Sequence, residues 1–304
     1  MTDGGTRKQI GHFISDGPRK KFLEAYEQAM SLWPRPYDRF DVETAFGTTR
    51  VYRYGTAQAE PIVLLHGHGA NASNWYLQIA ALGQRHSVYA IDTIDDPGGS
   101  VQQAPVTGSR DAAAWLDEVL AGLGLERVHL VGMSYGGWLA LNQGIYGPAR
   151  LATLTLLDPG GLEKVPLKFM ANMAVSALAM AAPRRWRPAL ARLLASHALT
   201  ERPEIMKPVM IGARSFRPNR GPARPFTDDE LRRVTVPVQL ILGGRSTFVR
   251  PARALARATE LLPVAHAEIV PGVGHAVPLE RPGLVNERIL TLAEKAAVSD
   301  ADGG

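Results

Sequence analysis

Gly132-Met133-Ser134-Tyr135-Gly136 sets a serine between glycines where an apolar run, Val128 to Met133, gives way to helical spacing. A strand that turns sharply into a helix crowds backbone around the central residue, and glycine supplies the missing side-chain bulk. Two readings fit the pattern. Ser134 either caps the helix, or its hydroxyl is held above the edge of a sheet as a nucleophile. The strand–turn–helix setting favours the nucleophile. A serine hydroxyl attacks poorly at neutral pH and needs a base to take its proton. Acyl transfer also needs N–H donors for the developing oxyanion, and a helix opening at Tyr135 offers them.

Short apolar runs surround this turn. "IVLLH" (62–66), "SVYAID" (87–92), "VHLVGM" (128–133), "LTLLD" (154–158), "VQLILG" (238–243) and "AEIVPG" (267–272) read as strands buried on both faces. "VETAFGTTRVYRYG" alternates around Gly47-Thr48 and reads as a hairpin. Between the runs lie helical patterns, such as Leu116, Val119, Leu120 and Leu123 behind a Ser109 cap. Alternation of this kind predicts an α/β fold, a mostly parallel sheet with helices on both faces. Residues 162–231 break the rhythm. They are helical in pattern, rich in Ala and Arg, and hold five of the eight methionines.

The chain resembles the α/β-hydrolase family over residues 41–295, on four motifs in family order. "LLHGHGANASNW" (64–75) is similar to the oxyanion loop after the third strand, and "DTIDDPGGS" (92–100) to the loop after the fourth. "GMSYGG" is the nucleophile elbow, and "VPGVGHAVPLERP" (270–282) is similar to the loop that carries the catalytic histidine. The resemblance implies an eight-stranded sheet with a helical cap inserted after the sixth strand. Its expected parts are an N-terminal extension (1–40), a core in two pieces (41–161 and 232–296), the cap or lid (162–231) and a frayed tail (297–304). It also implies that Ser134 is the nucleophile, His275 the base, and the backbone amides of His68 and Tyr135 the oxyanion donors. His275 follows the last strand among glycines and precedes the closing helix, whereas His129 and His266 sit in or beside strands and read as structural.

Two other chemistries compete for the same loop. His66-x-His68 could hold a metal, but no third ligand of the usual kind is near in sequence. Gly67-His68-Gly69-Ala70-Asn71-Ala72, with Asp92 twenty residues on, satisfies a dinucleotide fingerprint. That alternative follows the third strand rather than the first and leaves the elbow and His275 unexplained. Neither a metal nor a cofactor is expected.

The acid that should orient His275 is missing from its usual place. After the seventh strand the loop reads "LGGRSTFVRPARA", with Ser246 where the family commonly has aspartate and no Asp or Glu between Glu230 and Glu260. Asp158, at the end of the sixth strand in "TLTLLDPGG", is the substitute that keeps the chain order Ser134, Asp158, His275. The competing reading is an aspartate that caps the turn into the lid. Asp92 and Asp95 lie beyond the far side of the nucleophile strand and are weaker candidates.

Composition narrows the rest. Without cysteine there is no disulfide, thiolate nucleophile or cysteine-held zinc. The net charge of +5 is scattered, with no aromatic-interleaved motif, so no nucleic-acid partner is expected. The N-terminus lacks an apolar signal segment, and Phe169 to Pro183 is too short to span a bilayer, so a cytoplasmic protein without stable membrane insertion is expected. Met170, Met173 and Met206 are expected either to line a pocket for a hydrophobic small-molecule substrate or to pack the lid onto the core. The expected reaction is cleavage of a carboxylic ester, lactone or thioester through an acyl-enzyme. The fold also admits non-hydrolytic chemistry or a ligand-binding role.

Overall fold

Strands covered on both faces need apolar residues at every position, and the centre of the sheet is made of such strands. A computed structural model describes residues 10–179, 182–194, 200–220 and 223–303. Its main strands are β1 (Asp38–Thr44), β2 (Gly47–Tyr54), β3 (Ala59–Leu65), β4 (His86–Ile91), β5 (Val128–Met133), β6 (Leu151–Leu157), β7 (Val238–Gly243) and β8 (Val264–Val270). They lie in the order β1-β2-β4-β3-β5-β6-β7-β8, and Val101–Gln102 adds a two-residue pairing to β2. The β1–β2 and β2–β4 pairs are antiparallel, as is the Val101–Gln102 pairing to β2; the remaining neighbours in that order are parallel. The β1–β2 turn falls at Ala45-Phe46, two residues earlier than the pattern suggests, with Gly47 already paired to Thr44 at φ +125°.

Period-two alternation sorts the core into two layers. Val63 and Leu65 of β3 join the cluster that holds Trp115 and Leu116 of α2 (Ser109–Gly122) and Leu139 and Leu141 of α3 (Tyr135–Tyr146). Ile62 and Leu64 join the opposite cluster, with Phe22 and Tyr26 from the N-terminal helix α1 (Asp16–Met30) and Val285 and Ile289 from the last helix, Pro282–Gly303. The first forty residues therefore do more than extend the chain: Phe22, Tyr26, Met30 and Trp33 are fully or almost fully buried. Burial of a side chain of this kind stabilises the fold by roughly 1.5–3 kcal/mol. Residues 297–303, read from sequence as a frayed tail, continue the last helix. Ser109 is the first residue of α2 rather than its cap. Gly108 occupies the cap, and Asp111 instead accepts a hydrogen bond from the Thr107 amide at 2.9 Å.

Between β6 and β7 the chain leaves the sheet for the helices Leu167–Ala179, Arg187–Leu194 and Pro203–Ser215, and returns through the single turn Asp228–Leu231. A Thr227–Glu230 capping box starts that turn. The helix Pro203–Ser215 packs on the N-terminal helix, and Phe216 meets Phe13 edge-on at 5.1 Å. No helix among the described residues is long and apolar enough to cross a membrane. The chain runs from β3 to β4 on one side of β3 and then to β5 on the other. This reversal opens a crevice at the carboxyl ends of β3 and β5, where ligands settle in open α/β sheets.

Candidate active site

Ser134 is the residue between β5 and α3, with φ +55° and ψ −112°. Among the described residues, it and Asp158 (φ +44°) are the two non-glycine residues at positive φ. Such backbone costs on the order of 1–3 kcal/mol and persists where the surroundings over-determine it. Here the Ser134 amide donates to Leu157 O at 3.0 Å, and its carbonyl accepts from Trp138 and Gly160 at 3.0 and 2.9 Å. The flanking glycines have a steric cause. A Cβ on Gly132 would lie 2.1 Å from the Gly136 carbonyl oxygen, and one on Gly136 would lie 2.1 Å from that of Leu65. Although Ser134 stands at the cap position of α3, its side chain makes no capping hydrogen bond.

The hydroxyl faces His275 instead. Ser134 Oγ lies 2.9 Å from His275 Nε2, and His275 Nδ1 lies 2.5 Å from Asp158 Oδ2. With Nδ1–H donating to the carboxylate, Nε2 is left to accept from the serine. Asp158 is fully buried directly after β6, with its amide donating to Ile241 O at 2.8 Å. Its Oδ1 accepts from the Gly243 amide at 3.1 Å and its Oδ2 from Ser246 Oγ at 2.5 Å. The carboxylate thus reaches across to β7 and the histidine loop rather than into the turn it begins. Phe248 packs on the His275 ring at 4.5 Å between centroids, and Phe169 stands edge-on to it at 5.7 Å.

On the other side of Ser134 runs the loop after β3. A Cβ on Gly67 would come within 3.3 Å of Ser134 Cβ, so this backbone abuts the serine. His66 shapes it: Nδ1 donates to Gly67 O at 2.8 Å and Nε2 accepts from the Thr93 amide at 3.1 Å. Both ring nitrogens are engaged with backbone, which leaves neither for a metal. His68 and Tyr135 line the same cavity as Ser134 and His275. The His68 imidazole turns to Asp96, with Nδ1 2.9 Å from Oδ1. Tyr135 is the first residue of α3, where backbone N–H groups have no partner within the helix.

The cavity above Ser134 holds about 570 Å³, and Trp75, Val165, Phe169, Met170, Phe248 and Leu279 give it an apolar wall. Met170 lines this cavity. Met206 does not line it; this residue lies on the helix Pro203–Ser215 that packs against the N-terminal helix. The Met173 side chain lies outside the described residues. Asp92 and Asp95 do not meet His275. Asp92 accepts from Tyr26 OH and the amides of Ala72 and Gly99, which also leaves no carboxylate oxygen for a ribose. Asp95 accepts from Tyr135 OH at 2.7 Å and pairs with Arg220 at 2.8 Å. Sequence reasoning missed Phe248 and Arg220, and Asp96 as the partner of the loop after β3. Arg220 sits in no motif, and Asp96 and Phe248 stand in loops, "DTIDDPGGS" and "LGGRSTFVRPARA", whose sequence does not mark their contact with the site.

Comparison with known proteins identifies the family and the fold. Residues 62–288 match the model of the Alpha/beta hydrolase family. Carboxylesterase YbfK of Bacillus subtilis is 31% identical over 278 residues, covering 89% of this chain and 93% of that protein. A second Bacillus subtilis carboxylesterase, nap, is 31% identical over 283 residues, covering 89% and 91%. The crystal structure of the naproxen esterase (carboxylesterase NP) from Bacillus subtilis superposes with a TM-score of 0.80 at 30% identity, covering 91% of this chain and 98% of that one. The structure of carboxylesterase CesB (YbfK) gives 0.79 at 30% identity, with the same coverage.

Proposed function

Because the chain belongs to the alpha/beta hydrolase family, we propose that it is a serine carboxylesterase whose Ser134, His275 and Asp158 act as one unit. The observation that carries this is the continuous chain of contacts, Oγ to Nε2 at 2.9 Å and Nδ1 to Oδ2 at 2.5 Å, built on a serine at positive φ. Ser134 Oγ attacks the acyl carbon while its proton passes to His275 Nε2. Asp158 keeps Nδ1–H pointed at itself and stabilises the imidazolium that forms. The backbone N–H groups of His68 and Tyr135 hold the oxyanion. The tetrahedral adduct collapses, the C–O bond to the alcohol breaks, and His275 returns the proton to the departing oxygen. Water repeats the sequence on the acyl-enzyme and releases the acid. None of these steps calls for a cofactor.

The substrate is an ester of a hydrophobic carboxylic acid. The apolar cavity wall supports that reading, and so do two relatives named carboxylesterases and one named for naproxen. The insertion acts as the lid, since Val165, Phe169 and Met170 bring its first helix and the approach to it over the serine. p-Nitrophenyl esters of graded chain length, together with naproxen methyl ester, test the reading. Wild type should turn over the longer or aromatic acyl groups, and Ser134→Ala should lose several orders of magnitude on all of them. Turnover unaffected by Ser134→Ala would refute the proposal.

A further inference from the structure

One side chain of the insertion touches both residues assigned to the oxyanion. Arg220 lies with its guanidinium carbon 3.9 Å from the centre of the Tyr135 ring, and Nη2 contacts the His68 imidazole. Its Nη1 pairs with Asp95 Oδ2 at 2.8 Å and Asp96 Oδ2 at 3.2 Å, and donates to the Asp95 carbonyl at 3.3 Å. The Asp95 and Asp96 side chains are 4% and 0% exposed and that of Arg220 is 11% exposed, so the cluster is largely out of bulk water. Each carboxylate holds a different piece of the site. Asp95 accepts from Tyr135 OH at 2.7 Å, and Asp96 accepts from the Gly69 amide at 3.1 Å while facing His68 Nδ1 at 2.9 Å.

The Arg220 and Asp96 charges are fixed near neutral pH. Burial lowers the Arg220 pKa, but Asp96 and Asp95 more than offset it and hold the guanidinium protonated. Burial likewise raises Asp96, yet Arg220 and His68 bring it well below the ordinary carboxylate range. Both ends of the guanidinium fork already face partners, so Arg220 is poorly placed to bind a substrate anion. Without it, two buried carboxylates would face each other with no cation between them. Their repulsion would act on the 68–69 segment and on the start of α3, the two backbones that flank Ser134.

We infer that Arg220 is a positioning residue: through Asp95 and Asp96 it holds the His68 and Tyr135 amides in register for the tetrahedral intermediate, and so ties that register to the insertion. The inference rests on the oxyanion assignment proposed above. A misplacement of the order of 1 Å costs roughly 10²-fold in rate, and loss of a single oxyanion donor costs about 10²–10³-fold. Only the transition state feels the register, so kcat should fall and KM should hold.

The test measures kcat and KM of Arg220→Gln on a p-nitrophenyl ester. It also measures affinity for an arylboronic acid, whose tetrahedral serine adduct places an oxygen at the oxyanion position, and for the carboxylic acid product. The expected result is kcat lower by about 10–100-fold, KM changed less than about threefold, boronate affinity reduced in step with kcat, and product affinity unchanged. Arg220→Gln/Asp96→Asn, which removes the uncompensated carboxylate, should recover part of kcat. Unchanged kcat and boronate affinity would overturn the inference, as would a loss confined to KM with product binding weakened alike. If Arg220→Gln does not fold, Arg220→Lys decides, because a single ammonium cannot meet Asp95, Asp96 and His68 at once as the guanidinium fork does and so cannot hold both backbones; wild-type kcat there would overturn the inference. Failure of the underlying site reading looks different: wild type itself would then not bind the boronate.

Discussion

Asp158 carries the orienting charge of the proposed triad, and its neighbours are built around it. Two donors besides the histidine, the Gly243 amide and Ser246 Oγ, converge on one buried carboxylate. Asp158→Asn should keep the fold but favour the wrong imidazole tautomer, lowering kcat by about 10²–10⁴-fold with an unchanged unfolding temperature. Ser246→Ala removes one hydrogen bond to a charged group, worth ~1.5 kcal/mol, so kcat should fall about tenfold. Ser246 and His275 touch the same carboxylate oxygen, so Asp158→Asn/Ser246→Asp should regain part of the activity that Asp158→Asn loses. No gain in the double variant would mean that the carboxylate works only from the end of β6. Asp158 could be singled out in the sequence because it directly follows a strand-like run and keeps the chain order with Ser134 and His275, although the usual position of the acid holds Ser246. Arg220, Phe248 and Asp96 could not: their partners lie far along the chain, and nothing local to them marks the contact.

At the level of elements, the elbow joins β5 and α3 so tightly that backbone takes the place of side chain. Alanine at Gly136 would drive its Cβ into the Leu65 carbonyl, which belongs to a central strand and has no room to retreat. Gly136→Ala should therefore lower the unfolding temperature by about 5 °C or more and abolish turnover. The first insertion helix contributes Phe169 and Met170 to the cavity, and Phe169 also leans on Phe248 at 5.0 Å and on the His275 ring. Met170→Trp should shift acyl preference towards shorter chains with little change in stability, read from kcat/KM across the graded esters. Met206→Trp should leave preference unchanged and lower stability, since its helix packs on the N-terminal helix. Apolar runs made the central strands legible to within a few residues, and β5 and β7 fall on the residues expected. The N-terminal forty residues were harder to read. Their charged and proline positions conceal Phe22, Tyr26 and Trp33, whose burial depends on a face of the sheet that no local pattern announces. The cap of α2 fell to Gly108 because Asp111, not Ser109, binds the amide ahead of the helix.

Across the whole molecule, buried ionisable groups narrow the pH range of stability from both sides, Asp96 through the Arg220 and His68 charges that oppose its burial and Tyr26 through burial itself. Asp96 has a folded pKa below its ordinary 3.8, so as pH falls past that value the unfolded chain takes up a proton that the folded one refuses. Tyr26 is raised well above its ordinary 10.0 by burial first and then by the Asp92 charge, so above that pH the unfolded chain releases a proton that the folded one retains. Urea midpoints should therefore fall below about pH 4 and again above about pH 10, with a plateau between. Asp96→Asn should flatten the acid limb, and an unaltered limb would assign acid lability elsewhere. The central claim is that Ser134 becomes covalently acylated because His275 activates it. Intact-mass measurement and peptide mapping after reaction with a fluorophosphonate test it most directly. One adduct per chain on the peptide carrying Ser134, formed rapidly in wild type and hundreds of times more slowly in His275→Ala, is the result predicted. An adduct on another serine, or equal rates in the two proteins, would contradict it.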